Sequence, residues 1–200
     1  MMTPDDCTNH GSTSPDRFPA RREIIRFCEL LREERDISKI RLLPAMTGGE
    51  YDVILHKPEM FISSSNREFY FRDIADYRQH FRDIADYRQQ VVFLDPDNGM
   101  EPEKRFNEKH VRYIELKAII DQISEASVVS VFQHFRRKRF FDDFNRIKER
   151  VLEVVPSVHM TAVHWHQLMF VILGKSEEVI EAVRRANEDY KSKYPVELII

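Results

Sequence analysis

Glycine is scarce in this chain, and the scarcity limits the cofactor loops that it can build. Only 5 glycines occur among 200 residues. Loops that cradle phosphates or dinucleotides need several glycines within a few positions, because the backbone must approach the ligand closely. The first 90 residues contain only Gly11, Gly48 and Gly49. The sequence therefore predicts no glycine-rich cofactor loop.

The chain also lacks paired cysteines, long apolar runs and an excess of one charge. Its 2 cysteines form no CxxC pair, which argues against a disulfide framework and favours a reducing cytoplasm. No apolar run approaches the roughly 18 residues of a transmembrane helix, so we expect no membrane association. With 31 Lys+Arg against 34 Asp+Glu, the chain is not basic overall, although local basic patches remain compatible with nucleic acid.

Composition separates a polar start from a longer patterned part. Residues 1–19 are rich in Thr, Ser, Asp, Asn and Pro and show no periodicity, which predicts a disordered N-terminal tail. Over 20–200, apolar residues recur with helical or strand periods, and we expect a single α/β domain. The sequence does not predict the oligomeric state.

A short sequence occurs twice in the middle of the chain. FRDIADYRQ fills residues 71–79 and again 81–89. Both copies favour a helix, and ten residues advance a helix by about 1000°, so the second copy is turned by about 80° from the first. We interpret 71–90 as a helical tandem duplication that lengthens a peripheral helix. Two equivalent binding turns are the alternative.

After the duplication, apolar strands alternate with amphipathic helices. Strands are predicted over 91–94, 127–132, 158–165 and 167–173, and helices over 111–123, 140–154 and from Ser176 onward. The alternation predicts an α/β fold: a Rossmann-like, mainly parallel sheet flanked by helices. The last two strands are expected to form an antiparallel hairpin edge at the C-terminus. Upstream, a helix is predicted over 20–35 and strands over 37–43 and 51–55.

Polar clusters follow two of these strands. The loop 95–99 (DPDNG) follows strand 91–94, and Gln133 and His134 follow strand 127–132. Ligands of open α/β sheets bind outside the carboxyl ends of the strands, so we expect these side chains to converge. The same residue types also form ordinary capped turns, which is the alternative. The candidate catalytic residues are Asp95, Asp97, Asn98, Gln133 and His134.

A basic run flanked by phenylalanines begins just beyond the second cluster. It consists of Arg136, Arg137, Lys138 and Arg139. Cations beside aromatic rings fit phosphate contacts and stacked bases, which indicates nucleic acid as a candidate partner. A solvated helix start, with Asp142 and Asp143 nearby, is the alternative.

The order of these features resembles the C-terminal half of class I methyltransferases, in particular the bacterial ribosomal-RNA adenine methyltransferases. The similarity covers about 90–193: VVF before LDPDNG, a helix, SVVSVFQH, a second helix, then a strand hairpin and a last helix. Those enzymes hold the amino group of the target base with an Asp-Pro-Pro-Tyr type loop. Asp95 and Pro96 match it, whereas Asp97 and Asn98 replace its last two residues. The resemblance implies a substrate hydrogen bond to Asp95, and S-adenosylmethionine as the cofactor.

The same stretch is similar to a family of bacterial proteins of uncharacterised activity. Its motifs are LDPDNG (94–99), a Lys-His-Val segment (109–111) and QHF-R (133–136). This second resemblance implies no activity.

Other functions remain open. Asp97 after Pro96, with Glu115 and Lys117 downstream, fits the PD…ExK pattern of nucleases whose carboxylates hold Mg²⁺ and whose lysine helps to activate water. The missing glycine loop favours a non-catalytic binding or regulatory module. Our leading hypothesis is a methyltransferase-like protein of unknown specificity that acts on or binds nucleic acid. No resident metal is predicted, and whether the protein is an enzyme stays open.

Overall fold

A computed structural model describes residues 18–34, 36–57, 59–60, 62–81, 89–134, 139–166 and 168–200 of the chain. These residues form two compact units, one ending at residue 61 and one spanning Ile62–Ile200. Most of the predicted tail, residues 1–17, lies outside the described residues. The single domain over 20–200 stays a prediction.

The N-terminal unit contains helices where we had predicted strands. Helix α1 (Arg22–Glu34) is followed by a 3₁₀ helix (Ile37–Leu42) and by α2 (Leu43–Thr47). The Asp36 side chain accepts a hydrogen bond from the Ser38 amide at 3.0 Å, and Pro44 lies in the first turn of α2. Both features favour helix starts. The predicted strand over 37–43 is therefore wrong, and 51–55 has no regular structure.

The larger unit begins with α3 (Arg67–Phe81), which contains the first copy of the duplicated sequence. Residues 82–88, most of the second copy, lie outside the described residues. Five strands follow: β1 (Val91–Leu94), β2 (Val128–His134), β3 (His159–Trp165), β4 (Leu168–Gly174) and β5 (Glu197–Ile199). The remaining helices are α4 (Tyr113–Gln122), α5 (Phe140–Val154) and α6 (Glu177–Lys191).

The α/β class is confirmed, but the prediction of a mainly parallel sheet requires correction. The five-stranded sheet has the order β1-β2-β4-β3-β5. Among the described strands, β1 and β2 pair in parallel, whereas β2–β4, β4–β3 and β3–β5 pair antiparallel. Connection length explains the difference. Helix α4 gives β1 and β2 a crossover, while β3 and β4 are joined by a turn too tight for parallel pairing.

The predicted hairpin is present, but its position at the sheet edge is not confirmed. Strand β5 pairs outside β3, with Ala162 opposite Ile199. The buried Thr161 hydroxyl donates a hydrogen bond to the Ile199 carbonyl at 2.9 Å. Sequence reasoning missed β5 because the strand has three residues, too few for a periodic pattern.

Each face of the sheet is covered differently. One face carries Val131, Gln133 and Met169, which are fully buried, and α4 and α5 supply further buried side chains such as Leu116 and Phe144. On the other face, α6 packs Ile180 against Val128 and Ile172. None of the helices in the described ranges is long and apolar enough to cross a membrane.

Candidate functional site at the carboxyl ends of β1 and β2

The parallel pairing of β1 and β2 brings the two predicted polar clusters to one edge of the sheet. Leu94, the last residue of β1, lies opposite Val131, and β2 continues to His134. The loop 95–99 therefore leaves the sheet beside Gln133 and His134. We call the edge that carries Asp95 and His134 the rim.

Gln133 anchors the loop from below. Its side chain is fully buried. The Oε1 atom accepts a hydrogen bond from the Met100 amide at 2.8 Å, and Nε2 donates to the His134 carbonyl at 3.0 Å. The side chain is thus committed to protein partners. Gln133 positions the loop from beneath the rim, and its predicted catalytic role stays a prediction.

Gly99 permits this anchoring. Its φ of 85° lies in the left-handed region, which is costly for residues with a side chain. A Cβ at this position would stand 2.3 Å from the Oε1 atom of Gln133. Glycine is therefore required both for the backbone conformation and for the close approach of the glutamine.

The segment 107–111 holds the loop from the other side. The Asn98 amide donates to the Lys109 carbonyl at 2.9 Å, and the Val111 amide donates to the Gly99 carbonyl at 3.0 Å. The Lys109 ammonium lies 3.7 Å from the exposed Asp97 carboxylate. The Lys-His-Val segment therefore supports the loop from outside the sheet.

Asp95 and His134 carry the shifted pKa values of the rim. Burial raises the pKa of Asp95; Asp97 raises it further, and His134 opposes this. The carboxyl group keeps an exposed side, although protein surrounds the rest. Burial lowers the pKa of His134 below its usual 6.5, against the opposing charges of Asp95 and Asp97. His134 is therefore neutral at pH 7.

This arrangement suits an uncharged polar ligand. A carboxylate accepts hydrogen bonds, and a neutral imidazole offers one donor and one acceptor. The His134 ring meets Phe132 edge-on, with ring centroids 4.7 Å apart, so that one side of the imidazole is apolar. A perturbed carboxyl beside a perturbed imidazole at a strand end is typical of functional sites.

The basic run is described only at its end. Arg139 is exposed and directly precedes α5, where its carbonyl accepts a hydrogen bond from the Asp143 amide at 3.0 Å. The predicted nucleic-acid residues Arg136, Arg137 and Lys138 lie outside the described residues.

Glu115 and Lys117 of the nuclease pattern are each paired with another residue. Glu115 is buried, and its Oε2 atom accepts a hydrogen bond from Arg67 at 2.7 Å. The Lys117 ammonium lies 2.5 Å from the Asp121 carboxylate on an exposed surface. Both belong to α4, where residues two apart face different directions. In the described part of the chain, no group of three or more His, Cys, Asp and Glu could hold a metal ion.

The described N-terminal residues do not fit S-adenosylmethionine. Gly48 ends α2 with a φ of 66°, as a helix C-cap. A Cβ on Gly49 would stand 2.1 Å from the ring of Tyr51, so the tyrosine fills the space that a ligand would need. No strand precedes these glycines in the described ranges. The pair is a helix terminus that lacks the form of a cofactor cradle.

Sequence reasoning missed Arg67, which organises the back of the site. Its buried guanidinium donates to both carboxylate oxygens of Glu115 and to the carbonyls of Glu108 and His110. The Oε2 atom of Glu115 also accepts the Arg112 amide at 2.8 Å, in a capping box. The partners lie more than 40 residues apart in sequence, so no local pattern could reveal them.

Comparison of the chain with protein-family models, with curated proteins and with solved structures found no match. The candidate site therefore rests on its geometry: a glutamine-anchored loop that presents a carboxyl group beside a neutral imidazole.

Proposed function

We propose that this protein is a methyltransferase-like protein that binds nucleic acid, with an unpaired base held at the rim. Asp95 accepts a hydrogen bond from an exocyclic amino group of the base, and neutral His134 contacts the same base. The observation that carries the proposal is the convergence of Asp95 and His134 at the carboxyl ends of β1 and β2.

The strand directions support the Rossmann-like part of the proposal. Strands β1, β2 and β3 run in one direction, because β4 is antiparallel to both β2 and β3 and lies between them. A reversed strand inserted in this way, followed by α6, is the hairpin-and-helix ending on which the methyltransferase resemblance rests.

Binding is favoured over methyl transfer. The rim offers hydrogen-bonding side chains to a base, whereas the described glycines do not form a cofactor cradle. Exposed Arg139 directly precedes α5 and supplies a cation for the phosphate backbone. The scarcity of cysteine favours a cytoplasmic setting for this activity.

Fluorescence anisotropy with labelled single-stranded RNA and DNA, at fixed salt, tests the proposal. Removing a negative charge ordinarily strengthens binding to nucleic acid. We expect Asp95→Asn to weaken it about tenfold instead, because the charged acceptor of a base-specific hydrogen bond becomes a weaker, neutral one. Asp121→Asn removes the same charge from an exposed position on α4 and serves as the matched control. Equal effects of the two variants would contradict base recognition by Asp95.

Calorimetric titration with S-adenosylmethionine separates binding from transfer. We expect no heat of binding for the full chain at millimolar cofactor. Saturable binding would contradict the purely binding role and would make the protein a candidate enzyme.

A further inference from the structure

A polar cavity of about 240 Å³ lies between the loop 101–106 and helices α4 and α5. Three arginines line it: Arg105 from the loop, and Arg146 and Arg150 from successive turns of α5. Two glutamates and two aromatic rings complete most of the lining. The cavity is distinct from the rim, which carries Asp95 directly after β1 and His134 at the end of β2.

The glutamates only partly offset the arginines. Glu101 caps the start of α4: its Oε1 atom accepts the Tyr113 amide at 2.8 Å, and its Oε2 atom lies 3.9 Å from the Arg112 guanidinium. Glu103 is exposed and contributes negative charge near Arg146. The lining thus carries one positive charge in excess, and one of its two carboxylates is already committed to a helix N-terminus.

Arg146 is held by Asp143 on the same helix. Its Nη2 atom donates to the Oδ1 atom of Asp143 at 2.6 Å. Its Nε atom is buried and has no hydrogen-bond partner among the described residues, and the same holds for the Oδ2 atom of Asp143. Because Nε is buried, a ligand in the cavity would contact Arg146 through the 18% of its side chain that is exposed.

Asp143 holds the guanidinium of Arg146 in position. Burial alone would lower the pKa of Arg146, but the hydrogen bond and the charge of Asp143 raise it overall. Asp143 itself is only 1% exposed. The guanidinium is therefore fixed in place on α5 from behind.

The other two arginines remain accessible. Arg105 is exposed and has a φ of 62°, a left-handed conformation that costs roughly 1–3 kcal/mol in a residue with a side chain. Arg150 pairs with Glu153 at 2.7 Å, with both side chains about half exposed, and such surface pairs contribute little. Both guanidinium groups can turn toward a ligand at small cost.

We propose that this cavity binds a phosphate group, either as free phosphate or as the terminal phosphate of a mononucleotide. Guanidinium forks match the oxygen atoms of phosphate and bind them with charge-assisted hydrogen bonds. Phe106 lines the cavity and is 41% exposed, which gives the organic part of a phosphate ester an aromatic surface. The volume suits a phosphate and a small attached group.

Calorimetry at constant ionic strength and pH 7 tests the site with adenosine 5′-monophosphate, adenosine and inorganic phosphate. We expect the monophosphate to bind at least tenfold more tightly than adenosine, and inorganic phosphate to compete with it. Arg105→Gln and Arg150→Gln should each weaken binding of the monophosphate about tenfold, because each loses a charge-assisted hydrogen bond. Thermal melts check that both variants fold.

Lys148→Gln is the matched control, since it removes one positive charge from an exposed position of the same helix. We expect it to leave binding unchanged. Equal affinities for inorganic phosphate and the monophosphate would support the site with free phosphate as its ligand; tighter binding of the monophosphate would support the ester.

Absence of binding at about 10 mM ligand, or an equal loss in Lys148→Gln and Arg150→Gln, would overturn the proposal. The arginines are tested with mononucleotides, and Asp95 is tested with oligonucleotides. Either proposal can therefore fail without the other.

Discussion

Two clusters in the larger unit combine a carboxylate with a basic side chain, and they differ in how completely their atoms are paired. Each guanidinium nitrogen of Arg67 donates to Glu115 or to a backbone carbonyl, and both residues are buried. At the rim, the side chains of Asp95 and His134 have no hydrogen-bond partner among the described residues, while burial shifts both pKa values. The buried cluster stabilises the fold, whereas Asp95 and His134 are exposed and their polar atoms are available to a ligand.

The sharpest test of this contrast is Arg67→Met. It leaves the Glu115 carboxylate buried without its cation, so we expect the free energy of unfolding to fall by about 3–5 kcal/mol. Urea denaturation measures the change. Lys117→Met breaks an exposed pair on α4 and should cost no more than about 1 kcal/mol. If Arg67→Met lowers the free energy of unfolding no more than the control does, the buried cluster stabilises the fold no more than an ordinary surface pair.

Adding Glu115→Gln to Arg67→Met refines this result. The double variant removes the unpaired charge, and we expect it to recover part of the lost stability. No recovery would mean that packing of the arginine stem, rather than its charge, stabilises α3 against α4.

The next largest effect concerns the loop that supports the rim. Gly99→Ala forces a side chain into the left-handed region and against Gln133, and should cost about 2 kcal/mol in the free energy of unfolding. Gly48→Ala is the matched control, because Gly48 also has a left-handed φ but has no atom near its Cβ position. A loss in Gly99→Ala no larger than that in Gly48→Ala would show that Gln133 does not press on the loop.

The sequence predicted the placement of the loop better than the roles of its neighbours. Apolar runs located β1 and β2, and the rule that ligands bind at strand ends placed Asp95 next to His134. Alternation along β2 puts Gln133 and His134 on opposite faces, but only the packed structure shows that Gln133 is buried under the loop.

Other features depend on long-range contacts. The partners of Arg67 are distant in sequence, and β5 is too short to show a period. The strand predicted at 37–43 failed for a local reason, since the helix-start signals at Asp36 and Pro44 outweighed the apolar pattern. The cavity lined by Arg105, Arg146 and Arg150 is formed by a loop and a helix. No sequence pattern predicts that these two elements meet.

The smallest predicted effect is the pH dependence of the stability that Asp95 contributes at the rim. The raised pKa of Asp95 means that folding favours its protonated form. The favourable contribution of Asp95 to the free energy of unfolding is therefore present below pH 3.8, its usual pKa. It is lost as the pH rises through the pKa of Asp95 in the folded state. Asp95→Asn should stabilise the protein at pH 7 by about 0.5 kcal/mol, a value reduced for solvent screening. It should have no such effect at pH 3.

Thermal melts at both pH values measure this stabilisation. The proton NMR titration of His134 gives an independent check: its midpoint should lie below 6.5 and should fall further in Asp95→Asn, because the Asp95 charge raises it. An unchanged midpoint would mean that the two side chains do not interact.

The position of β1 at the sheet edge affects how the rim opens over time. Strand β4 is hydrogen-bonded on both sides, whereas β1 has four residues and pairs only with β2 in the described sheet. Amide protons of β1 should therefore exchange with solvent through a local opening that costs less free energy than the opening that exposes those of β4. Asp95 follows β1 and His134 ends β2, so the same opening separates the two halves of the rim. Ligand held between them would slow the exchange of β1 more than that of any other strand.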